Sequence, residues 1–219
     1  MMKMTLGVGL TFAAVIANAT VIDPGGAAVP DVVAAAVGPA SATLLTVSGN
    51  YDFNVLPADI SGSYVETAYA DTTNPFNSIS GVYDTTMVLK ITVGPGTATV
   101  ERATLGYFGG FQTSVSYLSG SNVAPTGATR DVVGSVIGYN FAGLTPGEVE
   151  TLVVYTNAQG ANTGGAVSIQ NGTAGYNVGI SVAPEPLPLA LCGTGLAIVG
   201  MAGRRRALLK RRREALKKP

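Results

Sequence analysis

Three textures of hydrophobic and polar positions follow one another along the chain. Residues 6–16 are almost all apolar, with Lys3 ahead of them and Ala17-Asn18-Ala19 behind. Over 43–182, short β-branched and aromatic runs are separated by Gly, Pro, Asn, Asp and Ser. Residues 187–203 carry no ionisable group except the Cys192 thiol, and Arg204-Arg205-Arg206 follows at once.

The middle texture predicts strands. The runs 43–48, 51–55, 63–69, 86–93, 98–108, 113–118, 132–141, 149–156, 166–170 and 176–182 have the length and residue types of strands bounded by turns. Their number and spacing predict an all-β domain over 43–183, a β-sandwich or jelly roll. In 86–93 the alternation shows the faces: Met87, Leu89, Ile91 and Val93 should point to the core, with Lys90 and Thr92 opposite. Gly94-Pro95-Gly96 and Leu144-Thr145-Pro146-Gly147 read as turns, with Pro146 fixing φ and Gly147 free to take φ above zero. The second turn is similar to the Leu-x-Pro-Gly corner of immunoglobulin-like sandwiches, a likeness that implies fold and no activity. Residues 20–42, mostly Ala, Val, Gly and Pro, read as a leader, with a short helix over 30–37 started at Pro30 and stopped before Pro39.

The two ends read as signals. Lys3, the apolar 6–16 and the A-x-A site at Ala17 and Ala19 predict a secretory signal peptide over 1–19, removed by signal peptidase to leave Thr20 first. Its apolar stretch is short of the roughly 17 residues a membrane helix needs. At the other end, 187–203 is apolar on all faces and reaches about 25 Å as a helix, near the lower limit for crossing a bilayer. A buried core helix would share that composition, but the flank separates the two. An arginine at mid-bilayer costs about 2.5 to 3.5 kcal/mol, so the basic 204–219 should stop transfer and stay on the cytoplasmic side, held to anionic lipid. Pro184 and Pro186 around Glu185 forbid helix and hold an extended segment just outside the membrane.

Pro184-Glu185-Pro186, a single predicted transmembrane helix and the cluster Arg204, Arg205, Arg206, in that order and at close spacing, resemble the tripartite PEP-CTERM sorting domain of Gram-negative bacteria. The resemblance implies an exosortase as partner, a membrane-embedded cysteine peptidase that cleaves near the motif and passes the protein to the cell surface. It implies a transient single-pass anchor and a destination at the surface, in a biofilm or in an exopolysaccharide matrix. Beyond the family pattern, 207–219 adds a second basic cluster.

Charge changes the picture of the exported part. The whole chain is formally neutral, yet 20–183 holds three basic residues, Lys90, Arg102 and Arg130, against eleven acids, a net of −8. The tail 204–219 holds nine basic residues and one acid, a net of +8. An acidic domain lacks the basic patch that phosphate binding requires, so nucleic acid is not an expected partner. Cys192 is the only cysteine and there is no histidine, so the domain has no disulfide and no material for zinc or His-based nucleophile chemistry.

What remains is oxygen chemistry and aromatic surface. Carboxylate pairs for glycoside hydrolysis could be drawn from Asp52, Asp59, Glu66 and Asp84, or from Glu148 and Glu150, read as two solvated acids at a strand start. The loop 71–77 offers Asp71, Asn74 and Asn77 as weak calcium ligands, without the carboxylate spacing of an EF-hand; a polar hairpin loop is the plainer reading. Nine tyrosines and no tryptophan leave tyrosine as the aromatic for a sugar, though strand-edge packing with hydroxyls at the surface accounts for them too. The expectation is a non-catalytic structural or interaction protein of the cell surface or matrix, without cofactor. The alternatives are a carbohydrate-binding module using a coplanar tyrosine row, and an acid-residue glycoside hydrolase.

Overall fold

A computed structural model describes residues 19–55, 58–96, 98–121, 123–174 and 177–183. The expected signal peptide up to residue 18, Tyr176, the Pro-Glu-Pro motif, the expected span 187–203 and the basic tail lie outside the described residues. Among the described residues fourteen strands run in chain order: β1 (Thr20–Val21), β2 (Ala27–Ala28), β3 (Asp31–Val33), β4 (Ala42–Val55), β5 (Ala58–Ala70), β6 (Thr85–Val93), β7 (Val100–Gly106), β8 (Thr113–Leu118), β9 (Gly127–Arg130), β10 (Val136–Leu144), β11 (Val149–Thr156), β12 (Gly160–Asn171), β13 (Thr173–Ala174) and β14 (Asn177–Ala183).

They form two sheets and an all-β sandwich. Sheet A has the order β1-β8-β11-β6-β5-β4, and sheet B the order β13-β12-β7-β10-β9-β2, with β14 beside β12. All pairings are antiparallel except β3 on β8, which is parallel. The core lies between the inward faces. Met87, Leu89, Ile91 and Val93 of β6 are all buried, as their alternation predicts, and meet Ala103, Leu105, Ile137, Tyr139, Val167 and Ile169 of sheet B. Lys90 on the other face of β6 is exposed.

Residues 20–42 correct the leader reading. No helix forms over 30–37; the segment gives β1 to sheet A, β2 to sheet B and β3 back to sheet A. β1 and β3 divide the free edge of β8 between them, pairing with Ser114 and Val115 and then with 116–118. Val33 packs with Val153 and Tyr155 in a second small cluster, joined by Ala19, Ala36 and Phe76. Those Val153 and Tyr155 side chains are on the opposite face of β11 from Leu152 and Val154, so the segment covers what would be an exposed apolar strip. Its backbone gains more from pairing with an open edge than from two turns of helix between prolines.

The tyrosines correct a second expectation. Tyr51, Tyr64, Tyr139 and Tyr155 are buried rather than edge-packed. In the β4–β5 ladder Tyr51 stands opposite Gly62, and Tyr64 opposite Gly49. Each ring lies across a glycine: a Cβ on Gly62 would fall 2.4 Å from the Tyr51 hydroxyl, and one on Gly49 would fall 2.9 Å from the Tyr64 ring. The Tyr51 hydroxyl donates to the Thr92 carbonyl at 3.1 Å. Tyr139 reaches from sheet B to donate to the Val153 carbonyl of sheet A at 2.7 Å. Burial of Tyr51 and Tyr139 is tolerated because their hydroxyls find backbone acceptors; burial also raises the pKa of both.

Candidate functional site

Strand register gathers several connections at one end of the sandwich. On sheet A this end holds the start of β6, the start of β8 and the end of β11, since Thr156 pairs with Thr113 and Tyr155 with Thr86. On sheet B it holds the end of β7, the end of β9 and the starts of β10 and β12, since Val136 pairs with Gly106 and Ile137 with Arg130. The Thr85 amide donates to the Ala158 carbonyl at 2.6 Å, which joins the two sheets there. Ala183 pairs with Gly160, so β14 also ends here.

Arg130 organises this end. Its side chain is buried and its guanidinium donates only to backbone carbonyls: Nε to Gly134 at 3.0 Å, Nη1 to Ile22 at 3.1 Å, and Nη2 to Phe108, Phe111 and Gly134 at 3.1, 2.7 and 2.8 Å. Three separate segments are tied by one planar fork, a role for which the spread of arginine donors is suited. Burial lowers its pKa, opposed by the nearby carboxylates of Asp131 and Asp23. A pocket of about 300 Å³ opens beside it, lined among others by Val21, Pro24, Phe111, Gln112 and Thr113. Its floor is a cation already engaged with carbonyls, so it offers shape more than an anion site.

The loop after β7 carries backbone strain. Tyr107 has φ of +75°, the one positive-φ residue other than glycine among the described residues, and its ring is 53 % exposed. Phe108 turns inward and is buried, and its amide donates to Ser135 at 2.9 Å. A left-handed aromatic residue costs on the order of 1 to 3 kcal/mol and persists where neighbours fix it. Here Phe108 and the Arg130 fork hold both sides of the loop.

The β9–β10 hairpin corrects the strand expected over 132–141. Val132 and Val133 form the tip of a turn, 84 % and 69 % exposed, and β10 begins only at Val136. Asp131 opens the turn, its Oδ1 accepting the Val136 amide at 2.9 Å, and Gly134 closes it with φ of +73°. An Asp followed three residues later by Gly is the signature of such a turn, a signal that the two β-branched residues between them mask.

The candidate calcium residues are held in a polar knot. Asp71 Oδ1 accepts from the Gly38 and Thr73 amides and the Ser41 and Thr73 hydroxyls at 2.9 to 3.0 Å, and Oδ2 from the Thr86 hydroxyl at 2.7 Å. Asn74 Oδ1 accepts the Phe76 amide and Asn77 Oδ1 the Asp84 amide, while their amide nitrogens donate to Thr85, Thr156 and Asp71 carbonyls. These oxygens serve the loop itself. Among the described residues no group of three or more His, Cys, Asp or Glu is placed to hold a metal ion.

The candidate acids are dispersed. Asp52 is exposed on β4, Asp84 is buried beside the 71–84 loop, and Asp59 lies on β5. Glu148 precedes β11 and accepts the Thr145 amide at 2.6 Å, capping the Pro146-Gly147 turn. Glu150 corrects the solvated reading: it is fully buried, on the same face as Leu152 and Val154. Burial pushes its carboxyl up to about 7, tempered by the Ser121 hydroxyl and the Thr151 and Val123 amides, none in full hydrogen-bond geometry. Glu66 is also fully buried; burial pushes it up to about 8, tempered by the Ile180 amide that donates to it. In register, Glu150 pairs with Ile91 and Glu66 with Leu89, so β6 lies between them with a two-residue offset. Strand spacing and rise put their Cα atoms about 12 Å apart.

The exposed tyrosines among the described residues are Tyr83 and Tyr107, on separate loops, and they form no row. Ala19 is partly buried against the Val33 cluster, and β1 starts at Thr20. Ala17, Pro184, Glu185, Pro186, Arg204, Arg205 and Arg206 lie outside the described residues. Among the described residues no helix is long and apolar enough to cross a membrane. Searches against family models, curated proteins and solved structures find no match to this chain.

Proposed function

We propose that this chain is an exported, non-catalytic β-sandwich protein of the cell surface or exopolysaccharide matrix, sorted by its C-terminal signal. One juxtaposition carries the reading. The folded domain's last strand ends at Ala183, and the next residues in sequence are Pro184-Glu185-Pro186, the apolar 187–203 and Arg204 to Arg206. A peptidase cutting near Glu185 would release the domain with every described strand intact. Cutting even a few residues earlier would remove ladder bonds between β14 and β12. An acidic, hydroxyl-rich domain with a self-satisfied polar loop and buried, separated glutamates suits a building or adhesive component better than a hydrolase.

The test is the C-terminal mass of surface-released protein. Cleavage near the motif yields a product lacking 187–219, and Glu185→Ala or replacement of Arg204, Arg205 and Arg206 by alanine leaves uncut protein in the inner membrane. Released protein that still carries Arg204 would overturn the sorting mechanism.

A further inference from the structure

We propose that the pocket beside Arg130 is a binding site for one uncharged sugar ring. The inference rests on the matrix reading above for the source of that ring, a matrix glycan, and on the pocket itself for its chemistry.

The pocket is built before a ligand arrives. Residues 21–24, 110–113 and Arg130 wall it, and hydrogen bonds that a ligand does not have to supply hold those segments in place. The Ile22 amide donates to the Thr113 carbonyl at 3.0 Å, the Gly25 amide to the Asp131 carbonyl at 2.9 Å, and the Gln112 amide to Asn157 Oδ1 at 2.8 Å. The Arg130 fork holds the carbonyls of Ile22 and Phe111. Tyr107, strained at φ of +75°, begins the loop that supplies 110–112, and strain of this kind gathers at ligand clamps. A preformed site avoids the ordering cost of binding. Its volume, about 300 Å³, lies at the small end for ligand sites and suits one ring rather than a chain.

The lining selects the class. Phe111 is half-buried against the core, and with Val21 and Pro24 it gives the pocket an apolar wall. Asp23 and Gln112 are exposed, and among the described residues no hydrogen bond engages the Asp23 carboxylate or the Gln112 carboxamide. Arg130 Nη1 uses one of its two hydrogens on Ile22. The polar set is therefore a carboxylate that accepts, an N–H that donates and an amide that does both. An anion would meet the carboxylates of Asp23 and Asp131, while the cation near them is already held by carbonyls. A cation would face the Arg130 guanidinium. A wholly apolar ligand would strip water from Asp23 and return no hydrogen bond. Sugar hydroxyls both donate and accept, so one ring can satisfy Asp23, Gln112 and Arg130 together while its C–H face covers Phe111.

Full-length protein, held in a detergent without a sugar headgroup, is titrated with glucose, galactose and mannose, and with glucuronate and glucosamine as charged counterparts, by saturation-transfer NMR. At least one neutral hexose should bind with a Kd of about 1 mM, the range for so small a ligand, and roughly five-fold more tightly than either charged sugar. Asp23→Asn and Gln112→Ala, both at exposed positions, should each weaken that binding roughly five-fold with Tm unchanged. Asp23→Asn should also narrow the gap between the neutral hexose and glucuronate. Tyr83→Ala, which does not line the pocket, should leave binding as it is. Absence of saturation transfer to all three neutral hexoses overturns the proposal, as does binding that neither Asp23→Asn nor Gln112→Ala weakens. Tighter binding of glucuronate or glucosamine overturns the uncharged class. The C-terminal mass of released protein is independent of every one of these results, so the pocket and the sorting signal fail separately.

Discussion

Glu66 on β5 of sheet A accepts the Ile180 amide of β14, in sheet B, at 2.6 Å. A buried side chain thereby ties β14, the last strand among the described residues, to the opposite sheet across 114 residues. The contact fits closely: a Cβ on Gly179 would fall 2.9 Å from the same Glu66 oxygen. The other oxygen, Oε1, has no hydrogen-bond partner among the described residues.

That arrangement makes stability depend on pH. Burial raises Glu66 from 4.5 to about 8, so between those values the unfolded chain is ionised while the native state keeps its proton. Stability from this group is greatest below pH 4.5, falls as pH rises, and is lowest above about 8, where a buried charge has to be carried. Glu150, raised to about 7, works in the same direction over a narrower window. Glu66→Gln, which cannot ionise, should flatten the profile. The fall in Tm between pH 5 and 8.5 should shrink by roughly 10 °C, from about three pKa units at about 1.4 kcal/mol each in a domain of this size. Parallel melting profiles for the two proteins would contradict the assignment.

Parity along the strands carries more of this than the acids' own chemistry suggests. Glu66 shares its face with Tyr64 and Ala68, and Glu150 with Leu152 and Val154, so both acids are readable as inward-facing from position alone. β6, β8 and β11 are legible for the same reason, being long enough to show period two. β1, β2 and β3 are not: at two or three residues each they contain no full period, and only an open edge on β8 and β9 makes them strands. The burial of Tyr51 and Tyr64 depends on each facing a glycine across the ladder, a register that neither strand states alone. Arg130 is visible as a rare cation in an acidic domain, but its carbonyl partners at Ile22, Phe108, Phe111 and Gly134 are assembled by the fold.

Arg130 supports a second prediction. Arg130→Lys keeps the charge but replaces a planar fork by one ammonium, which cannot reach four carbonyls at once. Buried acceptors left without a donor cost about 1 to 3 kcal/mol each, partly relieved by water at the pocket. The variant should lose about 3 kcal/mol in urea unfolding, and hydrogen exchange should rise first around 107–112 and 131–135. A loss below about 1 kcal/mol would mean that those loops hold themselves.

Two glycines that look equally crowded should behave differently. A Cβ on Gly62 would sit 2.2 Å from the Thr92 carbonyl oxygen, a backbone atom fixed by the ladder. A Cβ on Gly138 would sit 2.0 Å from Arg102 Nη2, the far end of a flexible side chain. Gly62→Ala should therefore cost about 3 kcal/mol or more. Gly138→Ala should cost about 1 kcal/mol, the loss of the Arg102 bonds to Asn140 and Thr129. In an Arg102→Ala background the cost of Gly138→Ala should vanish. Urea unfolding of the four proteins measures this cycle, and an unchanged cost would show that the Gly138 backbone itself, not Arg102, sets the requirement.

Asp71 allows the loop's structural role to be separated from cation binding. Its two oxygens accept five hydrogen bonds, from Gly38, Ser41, Thr73 twice and Thr86, joining residues 38–41 to the ends of β5 and β6. Removing the carboxylate leaves these donors facing a void, several of them buried. Asp71→Ala should cost about 3 to 5 kcal/mol, within the range for breaking a buried polar network. A calcium ion would need Asp71, Asn74 and Asn77 oxygens that already accept from the chain, and gaining it would release those donors without partners. The wild-type Tm should therefore be the same in millimolar calcium as in excess chelator, while Asp71→Ala melts lower in both. A calcium-dependent rise of several degrees that disappears in Asp71→Ala would instead show that the loop reopens to take the ion.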